Sequence, residues 1–176
     1  MIKLQNFDVF EFDELTSTST YLKTDYLNYK KHDVIWSLEQ SEGRGQYDRV
    51  WSSSSGGLYF SVLLEPNFER VQVEDLIIDF STHLKLYLQK NYQIEVRIKA
   101  PNDVYYGDKK LCGVLIENSF LGSNLEYCIM GIGINVNQNF SNQDDLNAIS
   151  ISEILGNKIE LRDLLVELLD SWNPIY

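Results

Sequence analysis

The chain is 176 residues long and carries 15 Lys and Arg against 26 Asp and Glu, a formal net charge of −11. That length suits one domain with a real core, and 44% apolar residues with 3 Trp, 11 Tyr and 8 Phe exclude a disordered chain. The acidic balance argues against nucleic-acid or membrane-surface binding, both of which need cationic patches, and no run approaches the roughly 18 apolar residues of a membrane span. The N-terminus is acidic and alternating, without the basic start and apolar centre of a signal peptide. Cys112 and Cys128 lack CxxC spacing and sit in strand-like runs, so they read as buried free thiols of a reducing, cytoplasmic protein. His32 and His83 are isolated from both cysteines, and neither a zinc site nor a role for either histidine is expected.

Asp8 to Glu14 alternates apolar and charged residues as a strand does, and Thr16-Ser-Thr-Ser-Thr20 supplies capping hydroxyls for a helix through Tyr21, Leu22, Tyr26 and Leu27. Val34 to Leu38 and Leu58 to Leu64 read as strands, the second stopped by Pro66. From Val73 to Tyr92 the apolar spacing predicts a long amphipathic helix. Glu95–Ile98, Asp103–Tyr106, Leu111–Glu117 and Leu125–Val136 are strand-like, with a hairpin expected at Gly122-Ser-Asn. Ser150-Ile-Ser-Glu153 is a capping-box pattern for a short helix ending at Gly156, and the leucines from 161 to 169 stripe a last helix. Strands in blocks between few helices predict an α+β fold, a mixed or mostly antiparallel central sheet with helices packed on it.

Two segments depart from what folding alone requires. Glu42-Gly-Arg-Gly-Gln-Tyr-Asp-Arg-Val-Trp51 combines glycines, which let backbone N–H groups approach a ligand, with arginines suited to an anion. It matches neither GxGxxG nor GxxxxGK[ST], and by itself also reads as a surface loop. Arg97 to Gly113 carries Arg97, Lys99, Lys109 and Lys110 against Asp103 and Asp108, a local excess of two positive charges in an acidic chain. Lys99 and Lys110 could converge on one anion, Pro101-Asn-Asp is a turn signal, and a hairpin tip with solvated lysines is the plainer alternative.

Together the segments resemble the biotin protein ligase family. Gly43-Arg-Gly-Gln-Tyr-Asp-Arg-Val-Trp51 is similar to its GRGRxxRxW loop, and Lys99-Ala-Pro-Asn-Asp-Val104 with Lys110-Leu-Cys-Gly113 to its KWPNDV and KxxG. Gly131-Ile-Gly-Ile-Asn135 is similar to GxGIN and Ser17-Thr-Ser19 to STN, in matching order from about residue 8 to 170. The resemblance implies a class II synthetase-like catalytic domain that activates biotin with ATP as biotinyl-5'-AMP and transfers it to a lysine of a biotin carboxyl carrier protein. It implies catalytic roles for Lys110, Arg44 and Asp103. Ser17, Thr18, Ser19, Gln40, Gly43, Arg44, Gly45, Lys110 and Gly113 would contact biotin. Gln46, Arg49, Trp51, Lys99, Asn102 and Asn135 would contact the nucleotide, with Trp51 stacked on adenine or simply part of the core. Asp103 has two readings, holding Mg²⁺ or orienting the incoming amine. Val114–Ile116 and Ile129–Ile134 would wall the ring and tail of biotin.

Gln46 stands where the family commonly has arginine, Ala100 where it has tryptophan, and Asp48 where glycine is frequent. A neutral amide lacks the bidentate, charge-assisted grip of a guanidinium, so looser or slower handling of the adenylate is expected. The chain reads as one catalytic domain over 1–176, with neither the N-terminal winged helix nor the C-terminal SH3-like domain of family members. No DNA binding and no membrane contact are expected, and the resemblance allows a homodimer although no stripe marks one. Two alternatives stand beside the ligase: a lipoate or octanoate ligase or transferase of the same fold, and a weakly active relative that binds biotin or its adenylate.

Overall fold

The computed structural model describes residues 1–66, 68, 71–100, 102–141 and 147–174. Eight strands form one sheet: β1 (Ile2–Lys3), β2 (Asp8–Leu15), β3 (Asp33–Gln40), β4 (Leu58–Leu64), β5 (Arg97–Lys99), β6 (Asp103–Tyr106), β7 (Lys109–Leu121) and β8 (Asn124–Ile134). Their spatial order is β1-β2-β3-β4-β8-β7-β6-β5. Only β2 and β3 run parallel, joined through helix α1 (Thr18–Asp25), and every other neighbouring pair is antiparallel. The expected mixed sheet is therefore what the chain forms.

Alternation along the central strands explains how the helices are placed. Val34 and Trp36 of β3, Phe60 and Val62 of β4, Met130 and Ile132 of β8 and Val114 of β7 belong to one buried cluster. That cluster also takes in Phe80 and Leu84 of α2 (Val73–Tyr92) and Leu165 and Leu168 of α4 (Leu161–Ser171). The residues between them point the other way, where Ile35, Leu63 and Ile129 pack on Leu22 of α1. β4 is buried at every position because both of its faces are covered. The short α3 (Ile151–Leu155) starts at the Ser150–Glu153 capping box and ends at Gly156, whose φ of 77° is the left-handed geometry glycine accepts at no steric cost.

Several boundaries differ from the sequence reading. The first helix ends at Asp25 and tightens into a 3-10 turn over Tyr26–Asn28, which leaves Leu27 exposed rather than packed. β5 begins at Arg97, not Glu95, because Ile94 and Val96 are drawn into the core under α2. β7 and β8 reach to Leu121 and Asn124, a longer hairpin than expected, turning through Gly122 at a φ of 64°. The edge strand β1 carried no readable pattern in two residues. Both cysteines are buried and free, with burial pushing the Cys128 thiol up to about 12 and the Cys112 thiol further. Among the described residues no helix is long and apolar enough to cross a membrane.

Candidate active site

Parallel pairing of β2 with β3 places Leu15 opposite Gln40, so the segments leaving these two strands run side by side. One is the start of α1, the other the glycine loop. Ser17 is the N-cap of α1 and accepts from the Thr20 N–H at 3.4 Å. Thr18 donates its N–H to Gln40 Oε1 at 2.8 Å, and its hydroxyl shares a 2.8 Å hydrogen bond with Ser61 of β4. The Ser19 hydroxyl reaches the same Ser61 at 3.2 Å, and Gln40 Nε2 donates to Ser53 Oγ at 2.8 Å. Ser17, Thr18, Ser19, Ser53 and Ser61 are all buried, so this is a bonded polar cluster inside the protein, not a solvated rim.

The loop closes on itself as a small ribbon. Gly45 N–H donates to Arg49 O at 2.7 Å, Trp51 N–H donates to Gly43 O at 2.9 Å, and Arg44 bridges Val50. Tyr47 at its tip takes a left-handed φ of 55° and is exposed. Trp51 lays its indole over the floor made by the cross-strand pair Gly113 and Gly133. A β-carbon on Gly133 would run into Trp51 Nε1, and one on Gly113 would sit 2.8 Å from Trp51 Cζ3. Trp51 Nε1 is buried there with no hydrogen-bond partner among the described residues.

Lys110 owes its direction to a β-bulge. Asp103 pairs with Gly113 and Val104 with Cys112, but Tyr105 pairs with Lys110, so Leu111 is an extra residue on β7. In a regular strand residues three apart face opposite ways; the bulge turns Lys110 and Gly113 to the same side. Leu111 and Cys112 are correspondingly both buried in the core. The Lys110 ammonium meets Asp103 Oδ1 at 2.6 Å and lies 5.0 Å from the centre of the Trp51 ring. Asn102 brackets β7, its side chain donating to Val114 O and its carbonyl accepting from Val114 N–H, each at 2.9 Å.

These groups surround a cavity of about 140 Å³. Ser17, Thr18, Ser19, Gln40, Arg44, Gly45, Gln46, Arg49, Trp51, Asn102, Asp103, Lys110 and Gly113 line it, as do Val114 and Leu115 of the expected apolar wall. The lining itself carries Arg44, Arg49 and Lys110 against one carboxylate, Asp103, so the cavity is cationic inside an acidic chain. Three residues expected to contact a ligand do not line this cavity. Lys99 is exposed on edge strand β5 with its ammonium 5.1 Å from the Tyr105 ring centre, outside the wall. Asn135 is buried and donates from Nδ2 to Lys110 O at 3.1 Å, fastening the lysine's strand instead of facing the cavity. Gly43 is buried behind the loop, where a β-carbon would collide with Ser53 Oγ and Trp51 O. Pro101 lies outside the described residues. Gly131, Ile132 and Gly133, within the expected Ile129–Ile134 wall, also line the cavity; Val50 lines it, and Ser53 and Ser61 support it, without having been expected to. The Gly131-Ile-Gly spacing was the signal available for the floor; nothing local marked the two serines.

The sequence profile of the Biotin/lipoate A/B protein ligase family matches residues 9–135. The bifunctional ligase/repressor BirA of Bacillus subtilis (strain 168) is 32% identical over 146 residues, which is 81% of this chain and 45% of that protein. The biotin--[acetyl-CoA-carboxylase] ligase of Paracoccus denitrificans is 31% identical over 106 residues, 58% of this chain and 43% of that protein. The chain thus spans less than half the length of either relative. Among solved structures, the biotin protein ligase from Aquifex aeolicus in complex with biotin and ATP superposes with a TM-score of 0.82 at 33% identity, covering 93% of this chain and 68% of that one. The Leishmania major biotin protein ligase in complex with biotinyl-5-AMP gives 0.76 at 25% identity, covering 94% and 73%.

Proposed function

The chain belongs to the biotin/lipoate A/B protein ligase family, and from that premise we propose that it is an ATP-dependent biotin protein ligase. A biotin carboxylate oxygen attacks the α-phosphorus of ATP, diphosphate leaves, and biotinyl-5'-AMP forms. A lysine amine of a biotin carboxyl carrier protein then attacks the acyl carbon, the amine loses a proton, and AMP leaves. One observation carries the reading: Arg44 and Lys110, distant in sequence, line one cavity with the Ser17–Ser19 and Gln40 cluster. Bringing a carboxylate to a phosphate requires fixed cations to offset their repulsion and the charge that builds at phosphorus.

Lys110 is the group for both anions, and Arg44 with Gly45 covers the acyl adenylate. Thr18, Ser17 and Gln40 present hydroxyl and amide groups to the neutral ureido head, while Gly113, Gly131, Val114 and Leu115 take the thiophene ring and tail. Arg49, Gln46 and Asn102 lie toward the nucleotide. Small-molecule pockets usually exceed about 300 Å³, and the Trp51 indole covers part of the glycine floor; lifting it would make room for a bicyclic ligand and leave the ring free to stack on adenine. Asp103 suits orienting the incoming amine. It does not by itself make a magnesium site: among the described residues no group of three or more acidic, His or Cys ligands exists, and Lys110 already engages its carboxylate. Mg²⁺ would arrive with the phosphates of ATP. The cytoplasm, where biotin carriers and ATP meet, is the proposed location.

The test is transfer of labelled biotin to a biotin carboxyl carrier domain. The parent chain should label the carrier, Lys110→Ala should reduce the rate at least about a hundredfold, and biotin but not lipoate should raise the melting temperature. Equal labelling by Lys110→Ala would sink the assignment.

A further inference from the structure

Glu117 lies on β7, on the same face as Gly113 and Leu115, with its side chain only 16% exposed. One of its oxygens, Oε1, serves two cations from different elements: Arg44 Nη1 of the glycine loop at 3.4 Å and Lys23 Nζ of α1 at 3.7 Å. Neither contact is short, and both cations are about two-fifths exposed, so each pair alone is weak and readily exchanged. Glu117 itself is not free to be left alone, because a carboxylate this enclosed without a counter-charge is costly. Lys23 is held beside it independently, 6.0 Å from the ring centre of Tyr127 on β8.

We infer that Glu117 and Lys23 are positioning residues for Arg44, a two-cation exchange site at the cavity mouth. Glu117 holds the loop guanidinium between the cavity and the neighbouring groove that Arg44, Tyr47 and Ile116 also line. When a ligand carboxylate or phosphate draws Arg44 inward, Lys23 keeps Glu117 neutralised, and the loop can turn to the ligand without stranding a buried charge. The identity of that ligand rests on the proposed biotin-ligase reading; the exchange itself rests on the geometry.

The experiment combines amide hydrogen exchange over residues 43–51 with biotin binding and steady-state kinetics, in Glu117→Gln, Lys23→Met, Lys23→Arg and the Glu117→Gln/Lys23→Met pair. Glu117→Gln should speed exchange of the loop amides. Lys23→Met should slow that exchange and raise both the biotin Kd and KM about three- to fivefold, with kcat held. Lys23→Arg should behave as the parent, and Lys23→Met should add nothing once Glu117 is glutamine. Unchanged loop exchange in Glu117→Gln, or an equal biotin penalty from Lys23→Met in both backgrounds, overturns the inference. Should the parent bind no biotin, the proposed function falls while the exchange measurements still decide this point.

Discussion

Gln46 lines the cavity beside Arg44 and Arg49, so a guanidinium there would add a third loop cation. An amide can donate to a phosphate oxygen but cannot pair bidentately with it or neutralise it. Gln46→Arg is expected to slow release of biotinyl-5'-AMP by roughly tenfold, the scale of one charge-assisted hydrogen bond, read as the off-rate of labelled adenylate; equal off-rates would end the idea. The residue types in the loop were legible because glycine and arginine are chemically conspicuous. The indole of Trp51 was not placed by the same reading, since its seat depends on two glycines far along the chain.

At the level of elements, the bulge in β7 decides whether Lys110 faces the cavity or the core. The KxxG spacing was visible, but a spacing of three in a strand argues against a shared face, and only the pairing with β6 shows the extra residue at Leu111. The start of α3 supports the same strand from beneath. Ser150 accepts from Glu153 N–H while the Glu153 carboxylate accepts from Ser150 N–H at 3.0 Å. Ile151 donates to Asn135 O, and Asn135 in turn holds the Lys110 carbonyl. Burial works to raise the Glu153 carboxyl, yet hydrogen bonds from Ser150, Phe140 and Ser141 hold it below the ordinary value. Ser150→Ala removes the cap and is expected to cost about 1 kcal/mol, a fall in melting temperature of about 2–4 °C for a chain of this size. An unchanged melting curve would show that the cap is dispensable.

At the scale of the molecule, helices cover both faces of one sheet; His83 sits between α2 and α4 on one face, and His32 precedes β3 beside Phe7. His83 on α2 bonds Leu168 O of α4 at 2.9 Å, and the His32 ring packs 5.1 Å from Phe7. Burial lowers both imidazoles below their ordinary 6.5, so the folded chain keeps them neutral while the unfolded chain takes up protons first. Stability from this source is full above the unfolded value and declines as pH falls from 6.5 through the folded pKa values. Melting temperature should therefore be lower at about pH 5.5 than at about pH 7.5, and His83→Gln should narrow the gap. Identical curves for parent and variant would remove His83 from that account.

The amino-acid order by itself determined the elements whose signals are local: the alternation of β2, the continuous apolar run of β4, the amphipathic run of α2, the capping box of α3 and the cluster of glycines and cations that marks the site. Those features are set by backbone sterics and by residues within a few positions of one another. What only the tertiary structure decided is which of the marked residues share a space. Parallel pairing of β2 with β3 brings Thr18 to Gln40, the bulge turns Lys110 inward, and the core draws Asn135 under the strand and away from the cavity. The first and last of these contacts join residues 22 and 25 positions apart, and the bulge depends on how β7 registers against β6, so none can be read from the residue types alone.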